Sequence, residues 1–300
     1  MTEERKQEIL EIIRNTNRRP EQTGKPLYPE EIMAYPNLCE EIESISRTVD
    51  GFSYRMDILR AKNRGENCPL FINIHGGGFI GPHRENDTYF SAYMADQIHG
   101  ITVDLDYTLS DAAPYPVALH QCMDALDYVA EHANTWGASA KDISVGGYSA
   151  GGALTAAMGI CCAERGGFVP KLQILSYPPL EYRIPDQYKI DAYDRQIGME
   201  RCKAFADLYF DDKKENFEDI HNSPLYAPRE ILAKQPKTLI LSAGLCNFRY
   251  EDEDYAICLA DAGAEVILKR FPEASHGFIP HFMDGWKEAA DLMVREILEK

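Results

Sequence analysis

The feature that most constrains this chain is Gly147-Tyr148-Ser149-Ala150-Gly151. It stands between a strand-like run, Asp142-Ile143-Ser144-Val145-Gly146, and a small-residue helical run, Gly152-Ala153-Leu154-Thr155-Ala156-Ala157-Met158. A strand that becomes a helix within a few residues holds its central residue in strained backbone. Glycines two places to either side let the two segments pack closely there. The Ser149 hydroxyl then stands clear at a helix N-terminus, where the helix dipole favours negative charge. The five-residue pattern alone recurs by accident. The strand–turn–helix context makes Ser149 a candidate nucleophile.

Two further motifs bear on the same chemistry. His75-Gly76-Gly77-Gly78 closes the apolar run Leu70-Phe71-Ile72-Asn73-Ile74. Bare glycines leave backbone N–H groups unshielded, and such groups can point at a developing oxyanion. The plain alternative is a flexible loop. A glycine run directly after a buried strand and upstream of the Ser149 turn favours the oxyanion reading. His75 itself reads as a structural loop residue. His276-Gly277-Phe278 follows the apolar run 266–270. A lone histidine is more often structural than catalytic, but this one comes after the last expected strand and after Ser149. That is the chain order of a Ser…acid…His triad with its nucleophile on a strand-to-helix turn.

Short apolar runs alternate with helix-length segments. Expected strands are 53–59, 70–74, 101–106, 143–146, 172–176, 238–242 and 266–270, with 42–50 as an antiparallel edge strand. Helical patterns fall near 87–98, 116–132, 150–164, 251–262 and 282–299. Such alternation predicts an α/β fold with a mostly parallel sheet between helices. Two segments break it: 1–40, and 182–234, which carries an expected helix at 199–209 and polar residues such as Asp191, Asp194 and Arg195. An insertion on the C-terminal side of a parallel sheet sits over its usual site. The domain reading is therefore a core of 41–181 and 235–300, an N-terminal cap segment 1–40 and a cap insertion 182–234. A decorative insertion is the plain alternative.

Composition excludes several classes. A formal charge of −17 repels phosphate backbones, which argues against nucleic acid as a partner and suits solubility. No apolar run reaches the roughly 18 residues of a membrane span. The charged, helix-periodic N-terminus has no signal-peptide pattern, so a cytoplasmic location is expected. The eight cysteines form no C-x-x-C pair and read as buried reduced thiols.

With these motifs in order, the chain resembles the bacterial hormone-sensitive-lipase-like esterases, an α/β-hydrolase-fold group. The resemblance runs from about Pro69 to Phe278. It includes the His75–Gly78 run, Asp106-Tyr107-Thr108-Leu109, Pro114-Tyr115-Pro116-Val117-Ala118-Leu119 and the Ser149 turn. Leu175-Ser176-Tyr177-Pro178, Ser223-Pro224-Leu225, Ser242-Ala243-Gly244, Ala262-Gly263 and His276-Gly277-Phe278 continue it. The resemblance implies an α/β-hydrolase fold with a helical cap and a serine carboxylesterase that cleaves short-acyl esters through an acyl-enzyme. Ser149 would attack, and His276 would carry its proton. Gly77, Gly78 and Ala150 would donate to the oxyanion. It implies a small ester substrate and neither metal nor cofactor. A homo-oligomer is compatible with it.

Two positions depart from the family pattern. Tyr148 stands where the family often has Asp. More consequential, Gly-x-Asp-Pro-Leu is here Gly244-Leu245-Cys246-Asn247-Phe248, so the triad acid's position holds Cys246. A thiol accepts hydrogen bonds weakly and is mostly neutral at neutral pH. Substitute acids in reach by sequence are Glu181, shortly after the strand 172–176, and Asp252, at the start of the next helix. Asn247 could orient a neutral imidazole without supplying charge. Glu181 is marginally preferred. An amidase or deacylase would use the same first chemical steps, and a ligand-binding pseudo-hydrolase would explain the missing acid.

Overall fold

The computed structural model describes residues 1–16, 28–184 and 198–299. Asp191, Asp194 and Arg195 lie outside the described residues. In chain order the elements are α1 (Glu3–Asn15), α2 (Glu30–Met33), β1 (Glu43–Val49), β2 (Phe52–Arg60), β3 (Cys68–Ile74), α3 (Glu85–Gln97), β4 (Ile101–Asp106), α4 (Val117–His132) and β5 (Ala138–Tyr148). Then follow α5 (Ala150–Arg165), β6 (Leu172–Ser176), α6 (Met199–Tyr209), α7 (Lys214–Glu218), α8 (Arg229–Leu232), β7 (Lys237–Ala243), α9 (Arg249–Ala262), β8 (Val266–Phe271) and α10 (Trp286–Leu298).

The strands form one eight-stranded sheet in the order β1-β2-β4-β3-β5-β6-β7-β8. β1 and β2 pair antiparallel, as do β2 and β4; every later neighbour is parallel. The sequence shows why. Strands covered on both faces need apolar residues at consecutive positions, and Leu70, Phe71, Ile72 and Ile74 of β3 are all fully buried. β1, at the edge, is Glu-Ser-Ile-Ser-Arg-Thr-Val, with no residue fully buried. It matches the expected antiparallel edge strand.

Helices cover both faces. Leu119, Cys122, Leu126 and Val129 of α4 and Leu154 and Ala157 of α5 pack with Ile72, Val103 and Val145. Phe90 and Met94 of α3 and Ala290, Met293 and Ile297 of α10 pack with Phe71, Ile174 and Leu239, whose side chains point the other way. Each strand thus feeds two cores by the alternation of its side chains.

The expected strands all form, with instructive boundary shifts in one strand and one helix. β5 starts at Ala138 rather than 143, because Ala138 pairs with Cys68 across a register shift. α10 starts at Trp286 rather than 282. Phe282 has φ +53° and Gly285 φ +89°, left-handed turn conformations that an α-helix cannot contain.

The parallel order positions the site. From β3 the chain steps outward to β4 on one side, while β5 lies on the other, so the loops leaving the C-terminal ends of β3 and β5 diverge around a crevice. Ile74, the last residue of β3, is in register with Gly147, and Ala243 of β7 is in register with Phe271 of β8. The glycine run, the Ser149 turn, the Cys246 loop and the His276 loop therefore emerge at one edge.

Over this edge lie α1 and α6. Ile9 and Ile13 of α1 pack against Ala204 and Leu208 of α6, and burial of each isoleucine contributes roughly 1.5–3 kcal/mol. Arg5 adds an ion pair to Asp207 at 3.2 Å. At the end of α6, Tyr209 stacks on Phe79 of the loop after β3, with ring centres 3.7 Å apart and planes within 3°.

Candidate active site

Ser149 sits between β5 and α5 with φ +56° and ψ −123°. Backbone of this kind costs about 1–3 kcal/mol and persists only where the surroundings enforce it. Here they do. A Cβ added at Gly151 would lie 2.0 Å from the Ile74 carbonyl oxygen, and one at Gly147 would lie 2.5 Å from Gly151 backbone. Both glycines are therefore demanded by close backbone approach. Ser149 N–H donates to the Ser176 carbonyl at 2.9 Å, tying the turn to β6.

The Ser149 hydroxyl lies 2.9 Å from His276 Nε2. On the other side of the ring, His276 Nδ1 lies 3.0 Å from Cys246 Sγ, and Phe248 N–H donates to the same sulfur at 3.4 Å. The three side chains thus stand in line. Burial lowers the His276 pKa to about 4, with the nearby His281 acting in the same direction. Burial pushes the Cys246 thiol well above its usual range, helped by the neighbouring Asp252 carboxyl. Both partners are neutral at pH 7. An Nδ1–H donated to sulfur leaves Nε2 free to accept the Ser149 proton.

Neither carboxylate expected as a substitute acid hydrogen-bonds His276. Glu181 is buried and turned to its own chain, where its Oε1 accepts from the N–H groups of Arg183 and, at 2.9 Å, Ile184. Asp252 is fully buried in the first turn of α9, and neither of its oxygens makes a hydrogen bond of good geometry. Burial raises its pKa well above the carboxylate range. Counting along the chain could not find this. Asp252 is only six residues from Cys246, yet the turn into α9 directs it elsewhere.

The glycine run lies beside Ser149. Gly77 and Gly78 have φ +125° and +63°. A Cβ at Gly76 would be 2.7 Å from the Tyr148 carbonyl oxygen, and one at Gly78 would strike the Phe205 ring of α6 at 2.5 Å. Among the described residues, the N–H groups of Gly77, Gly78 and Ala150 donate to no carbonyl. His75 points away from the crevice. Its ring stacks on Tyr107 at 4.3 Å, and its Nδ1 lies 2.7 Å from the Gly76 carbonyl.

Sequence reasoning missed a buried polar network under the glycine run. Tyr148 OH donates to Asp87 Oδ1 at 2.7 Å, and His83 Nε2 lies 2.7 Å from Asp104 Oδ2. Asn73 Nδ2 bridges Asp104 at 3.1 Å and Ser91 at 3.0 Å. Asp104 raises the pKa of His83, against the opposing effect of burial, to about 9. The only signal in the sequence was the unusual Tyr148, whose long side chain reaches a partner that an Asp at that position would not.

A cavity of about 930 Å³ opens onto Ser149 and His276, bounded by Gly77, Gly78, Phe205 and Phe248 among others.

The family described as the alpha/beta hydrolase fold matches residues 71–280. Esterase LipI of Mycobacterium tuberculosis is 30% identical over 217 residues, covering 71% of this chain and 66% of that protein. Carboxylic ester hydrolase LipN of the same organism is 31% identical over 243 residues, covering 75% and 61%. The chain thus spans less than two thirds of the length of these curated relatives. A crystal structure of carboxyl esterase 2 from the fungus Tuber melanosporum is similar in fold, with TM-score 0.80 and 23% identity over 97% of each chain.

Proposed function

Because this chain belongs to the hormone-sensitive-lipase-like group of the alpha/beta hydrolase fold family, we propose that it is a serine carboxylesterase acting on short-acyl esters. One observation carries the reading: a serine hydroxyl on a strained turn, 2.9 Å from the Nε2 of a buried neutral histidine. Ser149 Oγ attacks the acyl carbon while its proton passes to His276 Nε2. The oxyanion is met by the N–H groups of Gly77, Gly78 and Ala150. The tetrahedral intermediate collapses as His276 returns the proton to the leaving alcohol, and water then repeats the sequence on the acyl-enzyme. Cys246 takes the place of the acid, orienting the ring without charge.

Residues 1–40 and 182–234 act as a cap in this reading, supported by the packing of α1 on α6 above the glycine run. Among the described residues no helix is long and apolar enough to cross a membrane. The net charge of −17 disfavours nucleic acid. A cytoplasmic location belongs to the same reading, supported by eight cysteines that are all free thiols.

The neutral thiol favours a second reading, a ligand-binding pseudo-hydrolase. The strain kept at Ser149 opposes it, since a binding pocket has no need of it. Hydrolysis of 4-nitrophenyl acetate with Ser149→Ala as control separates the two. Turnover that disappears in the variant supports the esterase; equal rates in both proteins refute it.

A further inference from the structure

The cavity at Ser149 carries more positive charge than ester hydrolysis needs. In a chain of net charge −17, Arg14, Arg84 and Arg201 all line it. Among the described residues none of the three forms an ion pair with a carboxylate. Arg14, at the end of α1, is exposed, while Arg84 and Arg201 are partly buried. Arg201 lies in the first turn of α6. It donates Nη1 to the Ile13 carbonyl at 2.9 Å and lies 5.0 Å from the centre of the Phe205 ring. That ring packs on Gly78, so Arg201 is held beside the glycine run. Arg84 precedes α3, and its backbone N–H donates to Asp87 at 2.8 Å.

Burial lowers the Arg201 pKa, and the charge of Arg84 lowers it further. Two acidic side chains also line the cavity against three arginines, and neither forms an ion pair with them among the described residues. Asp87 accepts instead from Tyr148 OH and the Arg84 backbone N–H. Asp111 is exposed at the rim. Two partly buried guanidinium groups without a carboxylate partner line one cavity, and a bound anion would satisfy donors that the protein leaves unmatched. The planar guanidinium donors suit a carboxylate.

Resting on the ester-hydrolysis reading, we propose that this cavity selects short esters that also carry a carboxylate, held by Arg84 and Arg201. The charge could sit on the acyl or the alcohol portion, and two substrate pairs distinguish them. In the first, 4-nitrophenyl hydrogen succinate is compared with 4-nitrophenyl butyrate. In the second, 4-acetoxybenzoate is compared with its methyl ester. Rates are corrected for the Ser149→Ala background, because a hemisuccinate can cleave itself.

The expected result is a kcat/KM about tenfold or more higher for the charged member of at least one pair. That ratio should fall to roughly threefold or less in Arg84→Gln/Arg201→Gln and should shrink with added salt. Equal or lower kcat/KM for the charged member of both pairs overturns the proposal, and so does a preference that survives the double substitution. Calorimetric titration of Ser149→Ala with monomethyl succinate and methyl butyrate separates this proposal from the esterase reading. If no ester turns over but monomethyl succinate binds more tightly and loses that advantage in the arginine variants, the anion site stands and the esterase reading falls. If both esters turn over without charge preference and neither binds more tightly, the anion site falls and the esterase reading stands.

Discussion

The two sides of the His276 ring are built differently. On the Nε2 side, Ser149 is fixed by constraints that leave no latitude: a left-handed φ, two glycines with no room for a Cβ, and a backbone bond to β6. On the Nδ1 side, Cys246 is also well placed, since Phe248 N–H holds its sulfur and Cys246 N–H donates to the Ala243 carbonyl at 3.0 Å. What that side lacks is charge. A buried neutral thiol faces a buried neutral imidazole. The contrast teaches that orienting a catalytic histidine and stabilising its charged form are separable tasks, normally done by one carboxylate. Here the first is met and the second is not.

The sharpest break in the comparison comes from the Ser149 side. Ser149→Ala should lower kcat for 4-nitrophenyl acetate by about a thousandfold or more, while the circular dichroism spectrum and melting temperature stay near wild type. Retention of most of the activity would remove Ser149 from the mechanism and make its strain unexplained.

The Nδ1 side predicts the next largest effect, and in the opposite direction. Loss of the triad acid in studied Ser-His-Asp proteases costs about 10⁴ in kcat. Restoring a carboxylate by Cys246→Asp should raise kcat by about a hundredfold, part of that range, because the site was not shaped for it. The pH profile gives an independent reading. A base with pKa about 4 is protonated and inactive only below that pH, so wild-type kcat/KM should stay flat from neutral pH down to about 5 and then fall. A carboxylate at position 246 favours the imidazolium and should move that acid limb upward by a unit or more. A wild-type limb near 6.5, or no gain in Cys246→Asp, would mean that the thiol does not leave His276 short of charge.

How much of this was legible in sequence follows the same division. The Ser149 turn could be read because close backbone approach admits only glycine, so the constraint is written in residue type. The parallel strands could be read because burial on both faces demands consecutive apolar residues, as at Leu70-Phe71-Ile72. The partner of His276 could not be read. Glu181 follows the strand β6 and Asp252 lies six residues past Cys246, but local backbone decides: Glu181 turns to the N–H groups of Arg183 and Ile184, and Asp252 is carried into the first turn of α9. The Asp87–Tyr148 bond and the wall formed by Arg84 and Arg201 were equally hidden. They join residues more than 60 positions apart through side chains that carry no pattern along the chain.

Acyl chain length is a milder test of the cavity shared by both sides. Arg14, Arg84, Arg201 and Asp87 interrupt a lining that also includes Leu10, Ile13, Phe205 and Phe248. Each further methylene placed against such walls gains little of the roughly 0.8 kcal/mol that full burial supplies. Across 4-nitrophenyl esters, kcat/KM should peak between acetyl and butyryl and fall by about tenfold toward decanoyl. A maximum at ten carbons or longer would show that the apolar part of this lining, not its charged residues, sets the preference.

The smallest expected effect on rate concerns the two carboxylates that do not bond His276. Glu181→Gln and Asp252→Asn should each leave kcat within about threefold of wild type. A larger loss would identify a charge acting on His276 from a distance and would close the gap between the two sides of the ring. For Asp252 the informative signal lies in stability. Its carboxyl is fully buried without a good hydrogen bond, and its pKa is raised well above the ordinary value. In the unfolded chain it ionises near pH 3.9. Between that pH and the raised native value, the folded state binds more protons than the unfolded state, so this group makes stability fall as pH rises. Asn has the same shape and no ionisation to suppress. The melting temperature of Asp252→Asn should therefore match wild type near pH 4 and exceed it increasingly toward pH 8, with about 2 °C or more for each kcal/mol relieved. A difference that stays constant with pH, or one that favours wild type at pH 8, would show that Asp252 is ionised in the folded protein. It would then be a negative charge next to Cys246, able to lend the imidazolium the stabilisation that the thiol cannot.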